Sequence, residues 1–267
     1  MQKRSYFDNA LYSIKKIKEN PILYLPDLIF VILTLILAIL FLYMNKLTVI
    51  FSGVDLFKER IKDIVFSKSS LIKLLVSLVF LAAINLLIGV GTIIMRYNLI
   101  RMIINNEEVS LSKAYQESKN YVLSIIGLKL MFLGIYLAPL LVFFAIGFAY
   151  KKLLLLMIFM LILVWLATRF VFLFTYAILF LKTKKGIINI IKESLNYSKN
   201  NKKHVILTGV ITSFVSFLIV AILNLVSKSL TLDLASLSAL AVIYFIIKTL
   251  ADITLIIWHN LFVFKNY

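Results

Sequence analysis

Four charged residues fall inside stretches that are otherwise apolar, and they carry the most chemistry in the chain. Arg169 interrupts LVWLATRFVFLF, Lys248 and Asp252 stand one helical turn apart in IIKTLADITLII, and Lys129 lies nine residues past Asn120. At mid-membrane each costs about 2.5 to 3.5 kcal/mol on insertion scales, so such residues pair with one another or line a pathway. Arg169 precedes Lys182 by 13 residues, and Asp252 precedes Lys265 by 13. If both helices leave the membrane at those lysines, Arg169 and Asp252 share a depth of roughly 20 Å and can pair directly. Two readings stay open for Arg169, Lys248 and Asp252: a structural ion cluster that fixes helix packing, or a ligand or ion site near mid-membrane. Lys129 has a stem long enough to snorkel to the interface. Turned inward, it would make the site three bases against one acid, which suits a phosphate or carboxylate group.

Other chemistry is sparse. The chain has no cysteine, which removes disulfides, thiol nucleophiles and thiolate metal sites together. Its two histidines, His204 and His259, lie far apart in sequence and lack an HExxH-type partner, so no metal site is expected. Ser194 and Ser198 have no base near them in sequence except lysine, and no clustered acids and histidines suggest hydrolysis. Neither an enzyme nor a cofactor is expected. Gly89 and Gly91 form a GxG inside an apolar run, where small residues permit close helix contact rather than nucleotide binding. Asp27 follows Pro26 at the start of an apolar run, where the helix dipole favours an acid, and is read as structural. Asn85, Thr92, Ser213, Ser216 and Asn224 are expected to hydrogen-bond between helices.

The elements that must position these groups are membrane spans. The 267-residue chain is 62% hydrophobic with mean hydropathy +1.01, and its uncharged runs repeat at lengths near 20 residues. Six spans are expected, at about 28–44, 74–95, 121–150, 153–181, 205–227 and 236–264, with Pro139 a kink in the third. No small-x-small cleavage site precedes Asn45, so the first run reads as a retained helix, not a signal peptide. The net charge of +17 would suggest nucleic acid in a soluble protein. Here the basic residues cluster between apolar runs, where they set topology and meet anionic lipid, so nucleic acid is not an expected partner.

Polar segments before the spans read as amphipathic helices. Residues 5–20 begin with Ser5 and Asp8 at capping-box spacing, carry a stripe of Phe7, Ala10, Leu11, Ile14 and Ile17, and end at Asn20-Pro21. Ser52 and Asp55 repeat the capping-box spacing in 45–70, where Val54, Phe57, Ile61, Ile64 and Val65 share a face. Residues 110–120 offer a thinner face of Leu111, Ala114, Tyr115 and Ser118. Residues 181–204 place Ile187, Ile190, Ile191 and Leu195 opposite Asn189, Lys192, Glu193 and Asn196. The expected belt for anionic headgroups is Lys15, Lys16 and Lys18 together with Lys182, Lys184, Lys185, Lys192, Lys199, Lys202 and Lys203. One side of the six spans carries 17 Lys and Arg and the other nine, which puts both termini in the cytoplasm of a multi-pass cell-membrane protein. The expected fold is all-α: a single six-span domain of three helical hairpins, each preceded by a cytoplasmic amphipathic surface helix. The corresponding repeats are 5–95, 110–181 and 186–264.

The segments ENPILYLPDLI, EEVSLSKAYQESKNY and GIINIIKESLNYSKNN resemble a broad family of prokaryotic, archaeal-like polytopic membrane proteins. That family includes the membrane region beside some glycerophosphoryl diester phosphodiesterases. In it a short helix with an alanine or isoleucine, a serine and a basic end precedes each hairpin. The resemblance implies a six-span fold with cytoplasmic surface helices and an unassigned role. It does not extend to phosphodiesterase activity, since the soluble domain is not in this chain. Two functions follow as expectations. One is an accessory or scaffold module that binds anionic lipid or a protein partner at its basic cytoplasmic face. The other is a small transporter or channel for an anionic or amphipathic solute, lined by Arg169, Lys248, Asp252 and Lys129.

Overall fold

A computed structural model describes residues 5–47, 58–59, 61–62, 67–149, 154–182, 186–229 and 239–267. Several sequence expectations lie outside the described residues. They are the Ser52–Asp55 capping box with most of its apolar face, the Lys151-Lys152 turn, and Lys184 and Lys185 of the basic belt. The described chain is all helical. It runs through α1 (Tyr6–Glu19), a 3-10 turn (Pro21–Tyr24), α2 (Leu25–Met44), α3 (Lys68–Ile104), α4 (Leu111–Ser118) and α5 (Val122–Ala149). It continues through α6 (Leu154–Val171), α7 (Thr175–Leu181), α8 (Ile187–Asn200), α9 (Lys202–Ser229) and α10 (Ala239–Asn266). Ser5 caps α1 as its spacing requires. Its hydroxyl accepts from the Asp8 amide at 3.1 Å, while the Asp8 carboxylate accepts from the Ser5 amide at 3.1 Å.

Six stretches are long and apolar enough to cross a membrane: Pro21–Met44, Ser69–Ile104, Val122–Leu141, Phe159–Leu181, Lys202–Ser227 and Leu240–Asn266. The protein is a multi-pass integral membrane protein. Along most of their length these helices turn apolar side chains outward; Ile39, Val79 and Phe217 are each more than 60% exposed. Hydrocarbon is as apolar as leucine, so such exposure costs nothing in lipid and does not drive the helices together. The packed core lies instead at one end of the bundle. There Ile94, Leu99, Ile100, Met102, Phe174, Phe180 and Phe262 are fully buried, joined by Leu23, Ile125 and Ile190. The second span was expected to stop near Met95, with Arg96 and Arg101 as interfacial markers. Helix α3 instead continues to Ile104, and its last turns are among the most enclosed parts of the protein.

The short helices divide their apolar faces between the protein and the outside. In α1 the side turned to the protein carries Asn9, Ser13 and Ile17, whereas Phe7, Leu11 and Ile14 are exposed. In α8 Ile190 is buried and Ile187 and Ile191 pack against the core, with Ser194 and Ser198 beside them; Ile188 and Leu195 face outward. In α4 Ala114 is buried and Tyr115 exposed. The reason is close packing. Helix α8 lies so near α5 that a Cβ on Gly127 would stand 2.2 Å from Ile187 Cδ1, which leaves this isoleucine to the protein rather than to lipid. Serines on these faces bond to backbone carbonyls: buried Ser13 donates to Asn9 at 2.9 Å and half-buried Ser118 to Ala114 at 2.8 Å.

The fourth span also departs from expectation, because it is broken at Phe172–Phe174 between α6 and α7. The break exposes the carbonyl of Val171. Ser198 donates to that oxygen at 2.7 Å and Ser194 reaches it at 3.3 Å, while Ser194 and Thr175 share a hydrogen bond of 2.9 Å. Non-helical backbone at this depth survives where side chains re-satisfy it. Helix α5, by contrast, continues through Pro139.

Two outcomes test this packing. Gly209 has the Phe170 ring where its Cβ would be, with Phe170 Cε1 at 2.2 Å. Gly209→Ala should therefore lower stability by about 1 to 3 kcal/mol. Gly127→Ala should cost less, since only the end of the Ile187 side chain has to turn. Denaturation of the two variants in mixed micelles reads the difference, and equal stabilities would refute it. Ser198→Ala should cost about 1 kcal/mol, and the Ser194→Ala, Ser198→Ala pair more than twice that, because the buried Val171 carbonyl then loses both donors.

Candidate functional site

One face of α3 repeats at helical spacing as Ala82, Asn85, Leu86, Gly89, Thr92, Ile93 and Arg96, and it forms a wall of a cavity of about 740 Å³. Asp27, Phe30 and Val31 of α2 form a second wall. Phe245, Thr249, Asp252, Ile253 and Ile256 of α10 form a third, and Lys129 reaches in from α5. At 1.5 Å rise per residue the wall from Ala82 to Arg96 is about 21 Å long. The cavity is thus an elongated groove, apolar over most of its length and charged toward the packed core. Its volume lies in the range of small-molecule sites, roughly 300 to 1,000 Å³.

Arg96 and Asp27 are the most enclosed charges here. The guanidinium donates from Nη1 to Asp27 Oδ1 at 2.5 Å, and both side chains are nine-tenths buried. Arg96 also lies 5.6 Å from the Tyr97 ring centroid, and Tyr97 stacks on Tyr176 and Phe264. Asp27 Oδ2 and Arg96 Nε have no hydrogen-bond partner among the described residues, although both atoms are buried. An acid at the start of a span and a base near the end of the next were each explained locally from sequence. The signal available was their shared distance from the polar end of each helix, read together rather than separately.

The sequence-selected residues are divided by the structure. Asp252 and Lys129 line the groove. Lys129 turns into the groove; its Nζ lies 3.9 Å from where Gly89 would carry a Cβ, so the missing side chain at Gly89 makes room for it. Arg169 does not line the groove and does not pair with Asp252; its guanidinium lies 5.4 Å over the Trp165 ring of its own helix. Lys248 is exposed on α10 and also lies off the groove. Equal distance from the helix ends set a depth but not a direction, and Arg169 faces away. The groove therefore presents two bases and two acids, not three bases and one acid. Asn85 does bond between helices, accepting from Thr34 at 3.1 Å, whereas Thr92 and Ser216 donate to carbonyls of their own helices.

A second set of charges ties each short helix to the end of a long one. Arg101 of α3 binds Glu117 of α4 and approaches Glu107 at 3.7 Å. Asn105 and then Lys113 hydrogen-bond to Glu107 and hold its carboxyl below the usual range. Lys182, just past α7, donates to Glu193 of α8 at 2.7 Å, and that bond, followed by the Tyr267 hydroxyl, raises the lysine's pKa. Lys265 of α10 lies over Tyr12 of α1 at 4.5 Å. Nearby, the two ends of the described chain are joined through His204. Tyr6 meets its Nδ1 at 2.5 Å, and its Nε2 donates to the Asn266 carbonyl at 2.7 Å. Asn9 donates to Asn266 at 3.0 Å.

Of the basic belt, Lys15 and Lys16 flank Glu19 at 3.7 and 2.8 Å. Lys18, Lys192, Lys199, Lys202 and Lys203 are exposed. Among the described residues no group of His, Cys, Asp and Glu is placed to hold a metal ion.

Removing one member of the Asp27–Arg96 pair leaves a buried charge uncompensated. Asp27→Ala or Arg96→Ala should each lower stability by about 3 to 5 kcal/mol, whereas Asp27→Leu with Arg96→Met should recover most of that loss. Unfolding of the three variants in mixed micelles measures it; single variants as stable as wild type would show the pair to be solvated. In comparisons with protein-family models, with curated proteins and with solved structures, the chain matches none.

Proposed function

We propose that this is a non-enzymatic membrane protein, cytoplasmic at both termini, that binds an amphipathic solute in the groove among α2, α3, α5 and α10 and moves it along that groove. The observation that carries the reading is the joining of buried charge and apolar wall in one open cavity. A purely structural ion cluster is sealed and paired throughout. Here Lys129 and Asp252 face the cavity without an ion pair among the described residues. Intramembrane charge of this kind marks a pathway or a ligand site more often than a packing device.

The architecture proposed around it is three hairpins, α2–α3, α5–α6 with α7, and α9–α10, each introduced by a surface helix on the cytoplasmic side. Helix order, the packing of each pair, and the three contacts Arg101–Glu117, Lys182–Glu193 and Lys265–Tyr12 support it. The excess of Lys and Arg on that side supports the orientation. Kinship with the membrane region beside glycerophosphoryl diester phosphodiesterases stands as a proposal of the same kind, without that activity.

A second reading has its own support. Phe7, Leu11 and Ile14 of α1, and Ile188 and Leu195 of α8, face outward beside exposed Lys18, Lys192 and Lys199. Helices with this division lie in the membrane interface and hold anionic headgroups. An accessory or scaffold role would use that surface alone.

Thermal unfolding in a neutral maltoside detergent separates the two. Added single-chain lysophospholipid should raise the Tm of wild type by about 5 °C at saturation. Gly89→Leu, which fills the groove, should lose most of the shift, and Lys192→Ala with Lys199→Ala should keep it. The reverse pattern would move the function to the surface helices.

A further inference from the structure

The groove's charges balance, and a purely anionic ligand does not match them. We propose that the groove selects a zwitterionic phospholipid, with Lys129 against its phosphate and Asp252 against its ammonium. This rests on the reading of the groove as a binding site. Arg96 and Asp27 neutralise each other and add no net charge. What remains is one base and one acid on different walls, Lys129 from α5 and Asp252 from α10, neither paired among the described residues.

Their levels agree as well. Tyr97 of α3 donates to Asn260 of α10 at 3.3 Å, which sets the register of two helices that end in the same core. Eight residues back along both, from 97 to 89 and from 260 to 252, Gly89 stands level with Asp252. Lys129 Nζ lies beside Gly89. The ammonium and the carboxylate therefore face one groove without forming an ion pair with each other, an arrangement that a ligand carrying both charges would answer. Asp27 and Arg96 line the same groove as a closed ion pair, nine-tenths buried. Phe30, Leu86 and Phe245 supply an apolar wall for an acyl chain.

The alternatives leave charges unmet. Phosphatidylglycerol brings no cation to Asp252 and sets a phosphodiester near its carboxylate. Diacylglycerol answers neither charge. A binding group left without its partner is what discriminates between ligands.

The test is native mass spectrometry of the full chain released from vesicles of phosphatidylethanolamine and phosphatidylglycerol in equal amounts. Thermal unfolding with each lipid, with diacylglycerol and with phosphoethanolamine gives a second readout. Wild type should retain phosphatidylethanolamine about tenfold over phosphatidylglycerol, the ratio expected from one charge-assisted contact. Asp252→Asn, nearly the same shape, should abolish the preference, and Thr249→Lys, on the same wall, should reverse it. Phosphoethanolamine should give no shift; a shift equal to that of the lipid would make the ligand a free headgroup and overturn the lipid assignment. Equal or greater retention of phosphatidylglycerol by wild type, or a preference unchanged in both folded variants, overturns the zwitterion assignment. The groove as a binding site still stands in that case if Gly89→Leu loses its lipid. Lipid retained by Gly89→Leu as by wild type overturns both.

Discussion

A guanidinium buried at the polar end of a membrane bundle has to be answered by a carboxylate, and much of this structure follows from that demand. Arg96 is held by Asp27 across the contact of α2 and α3, so the first two spans are fastened by charge as well as by packing. The Tyr97 stack on Tyr176 and Phe264 extends the same point toward α7 and α10. One oxygen of Asp27 and one nitrogen of Arg96 stay unmatched and buried, while the two residues line the groove. The pair therefore closes the bundle at one end and places charge beside the groove.

The placement of the core follows from the solvent. Lipid gives no drive for apolar helices to pack along their length, so cohesion gathers where polar groups need partners. That place is the end of the bundle where α1, α4 and α8 meet the spans. Serines there cap carbonyls, Arg101 and Lys182 reach the acids of α4 and α8, and His204 clasps Tyr6 to Asn266. Among the described residues the far halves of the spans turn most apolar side chains outward and meet at points such as Asn45 with Ser77 and Tyr244 with the Leu223 carbonyl. A bundle held at one end leaves room between its other helices, and the groove occupies such room.

The short helices have three sides rather than two. Small and polar residues such as Asn9, Ser13, Ser194 and Ser198 face the protein, apolar residues such as Phe7 and Ile188 face outward, and lysines lie between these and water. Ile190 is buried and Ile187 and Ile191 pack against the core beside these serines, so the apolar stripe of α8 is divided between the protein and the outside, whereas that of α1 faces mainly outward.

Chain chemistry by itself determined the six spans, the Ser5–Asp8 cap, the end of α1 at Asn20-Pro21 and the three short helices, because each depends on local hydropathy or on neighbours within one turn. It also marked Lys129 and Asp252 as residues to explain. What it could not decide was direction. Arg169 and Asp252 stand equally far in sequence from Lys182 and Lys265, yet rotation about a helix axis is set by neighbouring helices, and Arg169 turns to Trp165 instead. The partnership of Asp27 with Arg96, the inward turn of Lys129 over Gly89, and the break after Val171 satisfied from α8 all join residues distant in sequence. Only the packed helices bring those groups within reach, so only tertiary structure decided them.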